Sequence, residues 1–289
     1  MRYQIRHETT YSYARKVELS SHMLHLTPRA LPHQRVVSSI LSAIPTPSRT
    51  NRAVDDFGNI VDWMSFEVPH QRFAVTVEAV VEVEFPAPPE PATTPPWEQV
   101  TALAAPGAWQ AAEFAFESPM AQSDAGVTEY ARASFPPGRP VLHGLLDLNR
   151  RIHREFRFRS GVTTIRTPPS KVLAQRAGVC QDFTHLMLAG LRGLGLPARY
   201  TSGYLRTHPP PGATARQGAD QSHAWVGAWM GPAHGWIDLD PTNDLVVHDE
   251  HVVLAWGRDY GDISPVRGII LGGGRHSVTA AVDLRPDLA

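Results

Sequence analysis

"GVCQDFTHLMLAGLRGLGLPARYTSGYL", residues 178–205, holds the only cysteine of the 289-residue chain. Phe183, Leu186, Met187, Gly190, Leu191 and Leu194 recur at the spacing that keeps one face of a helix apolar. Gly195 and Pro197 end that helix, and "ARYTSGYL" has the aromatic and β-branched content of a strand. Cys180 therefore falls at or beside the first turn of the helix. There the backbone N–H groups lack partners, and the positive end of the helix dipole favours a thiolate.

A thiolate nucleophile needs a base. His185 lies five residues on, about 140° round the helix from Cys180, and reads as a packing or hydrogen-bonding residue of the same element. "HAWVGAWM" places His223 at the start of a strand in which Ala224, Val226 and Ala228 alternate with Trp225, Gly227 and Trp229. "GWIDLDPTND" reads as the next strand, with Asp238 and Asp240 on one face by period two. A carboxylate on the far nitrogen would orient the imidazole, and spacing does not choose between these two.

Residues 1–85 read as an antiparallel β domain, sandwich-like or an open sheet. "RYQIRHETTYSY", "RVVSSILSAI" and "RFAVTVEAVVEVEF" are rich in strand formers, and Gly58-Asn59 within "VDDFGNIVDWMSFEV" marks a hairpin. Six prolines between Pro86 and Pro96 make 86–97 a stiff connector. The remainder, 98–289, reads as a second domain. Its helical front, 98–175, includes "VTEYARASF" and "VLHGLLDLNRRIHREFRF", with Ser170 near the start of a further helix; the cysteine helix and a sheet fill 176–289, and "GIILGGG" and "RHSVTAAVDL" are its closing strands. The expected fold class is α+β, with helices packed on an antiparallel sheet.

Apolar residues at 42%, charged residues at 19% and a net charge of -1 describe an ordinary globular chain with no general attraction to nucleic acid or an anionic membrane. One cysteine makes no intrachain disulfide. "MRYQIRHETTYSYARKVELS" lacks the basic and apolar regions of a signal peptide, and no run approaches the roughly 20 apolar residues of a spanning helix. A cytoplasmic location is expected, with neither nucleic acid nor membrane as partner; the oligomeric state stays open. The pairs His22/His25 and His248/His251 lack a third ligand and read as surface or structural histidines, and no acidic loop has calcium-ligand spacing. Gly272–Gly274 lacks the Gly-Lys-Ser/Thr ending of a phosphate loop and reads as a turn. No metal or cofactor is expected.

Three blocks, "GVCQDFTHLMLAGLRGLGLPARYTSGYL", "SHAWVGAWMGPAHGWIDLDPTND" and "VVLAWGRDYGDISPVRGIILGGGRHSVTAAVDL", together with the amino-terminal "YQIRHETTYSYARKVELSSHMLHLTPR", resemble the transglutaminase-like superfamily. More narrowly they resemble the bacterial transglutaminase-like cysteine proteases that carry an N-terminal β domain. The resemblance implies a papain-like core in which Cys180 is the nucleophile, His223 the base and Asp240 of "DPT" the orienting residue, with Asp238 outside the motif. It implies acyl transfer through a thioester, and the Cys180 backbone N–H is the obvious oxyanion donor. Gln175, Gln181 and Tyr260 are candidate side-chain donors, and Trp225 is a candidate for the substrate groove. The expected activity is cleavage of peptide or isopeptide bonds in a peptide or protein substrate. A protein-glutamine transglutaminase and a non-catalytic binding module on the same fold are the alternatives.

Overall fold

The computed structural model describes residues 1–104, 109–208 and 221–287. The chain opens with β1 (Arg2–Leu24), β2 (Gln34–Ile44), β3 (Arg49–Val54), β4 (Ile60–Phe66) and β5 (His70–Val83). Helices α1 (Trp97–Ala104), α2 (Trp109–Ala112), α3 (Ala125–Arg132) and α4 (Val141–Glu155) follow, and then a short parallel pair, β6 (Arg157–Phe158) and β7 (Ala177–Gly178), flanks α5 (Pro169–Gln175). Next come α6 (Cys180–Gly193), β8 (Ala198–Leu205), β9 (Gln221–Trp229), β10 (Trp236–Asp240), β11 (Leu245–Val246) and β12 (His251–Gly257). The chain closes with β13 (Val266–Gly272) and β14 (His276–Pro286). The fold is mixed, an antiparallel sheet beside an α+β core.

β1 organises the first sheet. Along 23 residues it alternates buried and exposed positions, with Tyr3, Ile5 and His7 turned inward. Its pairing with β5 shifts register between Ser12 and Val17, an irregularity that bends an otherwise overlong strand. The first half lies between β5 and β14, and the second half meets β4 and β13. β5 buries Phe73, Val75, Val77, Ala79, Val81 and Val83, the alternation visible in its sequence.

Residues 1–85 form the expected antiparallel N-terminal sheet, of the open-sheet kind, and its core is closed by Tyr204, Val252 and Leu254 of the second sheet. One assignment changes here. The closing strands, assigned by sequence to the 98–289 domain, complete this first sheet, with β14 pairing β1 from Tyr3↔Pro286 to Tyr13↔His276. Periodicity identifies a strand but carries no information on its partner, and β1 would otherwise have an open edge. The Gly58 hairpin and the turn at Gly272–Gly274 are as expected, and all four glycines have positive φ.

The proline-rich connector is docked. Pro140 precedes α4 and no side chain caps that helix, so the Pro95 carbonyl accepts the Val141 N–H (2.9 Å) and the Thr94 hydroxyl accepts that of Leu142 (3.2 Å). Ser170 is not a cap, because α5 begins one residue earlier, at Pro169.

The second sheet, in the order β11-β10-β9-β8-β12, is covered on both faces. α6 lies against Ala198, Tyr200, Ala224, Val226 and Ala228; further along that face Tyr204 and Val252 join the core of the first sheet, and on the other face Trp225 and Val253 pack with Leu31, Phe85 and Trp256. No helix among the described residues is long and apolar enough to cross a membrane.

Candidate active site

Cys180 is the first residue of α6. Val179 before it is extended and has no side chain able to cap, so the helix start is held by Asp182, whose Oδ2 accepts the Val179 N–H (2.8 Å) and the Thr163 hydroxyl (2.7 Å). That carboxylate folds back over Gly178, where a Cβ would come within 2.8 Å of it. The Thr184 hydroxyl donates to the Cys180 carbonyl (2.8 Å). The half-buried thiol packs at the border of the helix-side core.

His223 sits on β9 opposite Gly203 of β8, and Asp240 is the last residue of β10. The ring Nε2 donates to Asp240 Oδ2 at 2.8 Å. Its Nδ1 is shut off from solvent and meets no nitrogen or oxygen partner, and the Cys180 thiol is close enough to interact with the ring. Burial opposes a charge on His223, but hydrogen bonding and charge from Asp240 and Cys180 outweigh it, and the pKa is pushed up to about 10. Burial alone would raise the Asp240 carboxyl; the donors around it, His223 foremost, hold it well below the usual carboxylate range. Its Oδ1 accepts the N–H groups of Thr242 (2.9 Å) and Asn243 (3.3 Å), and its Oδ2 also accepts the Asn243 amide (2.6 Å). The arrangement can keep an imidazolium next to a sulfur nucleophile.

Asp238, the alternative carboxylate, is engaged elsewhere. It lies 3.7 Å from the Arg199 guanidinium and accepts the Trp225 indole N–H at 3.3 Å. Arg199 is in turn sandwiched by Trp256 (3.7 Å) and Trp236 (4.4 Å).

The other candidates divide. Tyr260 packs against the same core as Cys180, its ring 6.2 Å from that of Tyr200, and its backbone N–H donates to His185 Nε2 (3.3 Å). Gln181 is half-buried on the first turn of α6. The Gln175 amide is spent on the Ala177 carbonyl (2.7 Å). Trp225 is not a groove residue: it is fully buried and its only donor is bound to Asp238. His185 packs as expected, its ring 5.0 Å from that of Tyr200, and burial lowers its pKa to about 4.

Three residues near the site were missed by sequence reasoning. Asn243 follows the "DPT" motif and its amide reaches Asp240. Tyr200 is buried between His185 and Tyr260, and burial, then the charge of Cys180, raises its pKa. His251 is fully buried with Nε2 3.5 Å from Asp240 Oδ2, so this member of the His248/His251 pair is structural, in the interior. His22 is interior too, stacked 4.2 Å from Phe73 in the first sheet.

Residues 3–82 match the bacterial transglutaminase-like N-terminal region, and residues 137–241 match the transglutaminase-like superfamily. An uncharacterized protein of Mycobacterium tuberculosis is 40% identical over 292 residues, covering 99% of this chain and 93% of its own length. A protein-glutamine gamma-glutamyltransferase of Pseudomonas aeruginosa is 37% identical over 68 residues, 23% of this chain and 10% of that protein. The crystal structure of a candidate cysteine protease from Cytophaga hutchinsonii superimposes with a TM-score of 0.77 at 23% identity, over 99% of this chain and 90% of that one.

Proposed function

The chain belongs to the transglutaminase-like superfamily, and from that premise we propose that it is a cysteine-dependent enzyme that cleaves peptide or isopeptide amide bonds. The observation that carries this reading is the position of the sole thiol, at the first turn of α6 beside the one ring nitrogen of His223 that has no partner, with the other nitrogen bound to Asp240.

The Cys180 thiolate attacks the amide carbonyl carbon, and the oxyanion that forms is met by the Cys180 backbone N–H, one of the unpaired donors of the helix start. The His223 imidazolium gives its Nδ1 proton to the leaving amine as the C–N bond breaks. A thioester remains. Water then attacks it, His223 takes the proton, and the acid product leaves as the C–S bond breaks and the Cys180 thiolate and His223 imidazolium are restored. Asp240 keeps the ring oriented and its charged form stable throughout.

The name of the Cytophaga neighbour agrees with hydrolysis. The local likeness to the Pseudomonas glutamyltransferase favours a second reading, transfer of the same thioester to an amine. The test is covalent labelling of Cys180 by iodoacetamide in the wild type and in His223→Ala, followed by mass analysis of peptide products with and without a primary amine. Labelling indifferent to His223→Ala would sink both readings; amine-bearing products would select the second.

A further inference from the structure

β12 is the outer strand of the second sheet, after β8. An outer strand leaves backbone groups unpaired, and here two side chains of the first sheet and its hairpin take the place of a neighbouring strand. The Gln34 carboxamide accepts the Val253 N–H and donates to the Val253 carbonyl, both at 2.8 Å. The Asn59 carboxamide does the same to Trp256, at 2.9 and 2.7 Å. Both side chains are buried and cross-linked: Gln34 donates to the Arg29 carbonyl (2.8 Å), and the Arg29 guanidinium donates to Asn59 Oδ1 (2.5 Å).

The first residue of β12 is His251. The His248 backbone N–H donates to its Nδ1 (3.5 Å), which leaves the ring proton on Nε2, and Nε2 points at Asp240 Oδ2. The edge of its ring meets Trp225 at 5.3 Å. The titratable groups facing it are Asp240 from β10, His223 from β9 and His248 from the preceding turn. The ring therefore supplies a donor to the orienting carboxylate from a strand that bears neither His223 nor Asp240. A fully buried imidazole is dearly desolvated and needs such a hydrogen bond to be tolerated.

We infer that His251 is a positioning residue for Asp240, and that the N-terminal sheet sets it in place through the paired amide bonds of Gln34 and Asn59 to β12. This rests on the reading of Cys180, His223 and Asp240 as the reacting set. It makes the first sheet part of the catalytic apparatus rather than an appended module.

The experiment measures the rate of Cys180 alkylation by iodoacetamide against pH in the full chain, with folding checked by circular dichroism. His251→Leu lowers the rate at mildly acidic pH about tenfold, the order of one hydrogen bond to a charged group. His251→Gln, whose amide nitrogen reaches the place of Nε2, keeps it within about threefold. His251→Asn is equally polar but too short and behaves as Leu, so the Gln/Asn comparison stands even where the Leu variant does not fold. A packing role would reverse the order, with Leu tolerated and Gln not, and would overturn the inference. Gln34→Leu shifts the profile in the same direction by about threefold; an unchanged profile there would remove the first sheet from the argument. A profile unaffected by His223→Ala is a different failure, that of the proposed function itself.

Discussion

The Nε2 of His223 lies 2.8 Å from Oδ2 of Asp240, with both side chains sealed from solvent. An ion pair so enclosed is strong only while both partners are present and hydrogen-bonded. The Asp240→Asn variant keeps an acceptor near the ring but removes the charge. The His223 pKa is expected to fall from about 10 toward the ordinary histidine range, read by NMR titration of its imidazole, and turnover to drop by about 100-fold or more.

The same pair sets a pH window for stability. His223 is raised from 6.5 to about 10, so its contribution is complete below about 6.5 and is lost as pH rises through 10. Asp240 is depressed from 3.8, so its contribution is present above that value and is lost in acid. The difference in urea midpoint between wild type and His223→Ala should be largest between those ordinary values and shrink on the alkaline side. A difference that grows toward pH 10 would contradict the assignment.

Arg199 and Asp238 form a second buried pair, unrelated to chemistry. Arg199→Ala strands the Asp238 carboxylate beneath Trp225 and removes the stacking on Trp236 and Trp256. A loss of about 3–5 kcal/mol in denaturant unfolding is expected. Arg199→Lys restores the charge without the flat, stacked guanidinium and should fall between the two.

Gly178→Ala tests the start of α6. A methyl group 2.8 Å from the Asp182 side chain must displace the carboxylate that holds the Val179 N–H. The expected cost is about 1–3 kcal/mol in stability, together with slower alkylation of Cys180. Asp182→Ala removes the tether without the clash and should cost about 1 kcal/mol.

The periodicity of α6 and β5 and the glycine turns were legible because each is a local property of a few consecutive residues. Cys180 and Asp240 stand at element ends as expected, whereas His223 is the third residue of β9 rather than its first. Spacing did not separate Asp240 from Asp238, since both share a strand face; the resemblance pointed to Asp240, and the tertiary neighbours put Asp240 against His223 and Asp238 against Arg199. Trp225 and Gln175 were read as available groups, yet each has its donor committed to an acceptor that no spacing rule reveals.

The chain sequence alone determined the principal apolar periodicities, several turns, and that its single thiol opens a helix. Tertiary structure decided that β13 and β14 return to β1, that amides of Gln34 and Asn59 close the edge of β12, and that His251 reaches Asp240. Local patterns follow from backbone periodicity and side-chain hydropathy, whereas strand partners and buried hydrogen bonds join residues far apart in the chain, and their pairing is settled only when the two sheets pack.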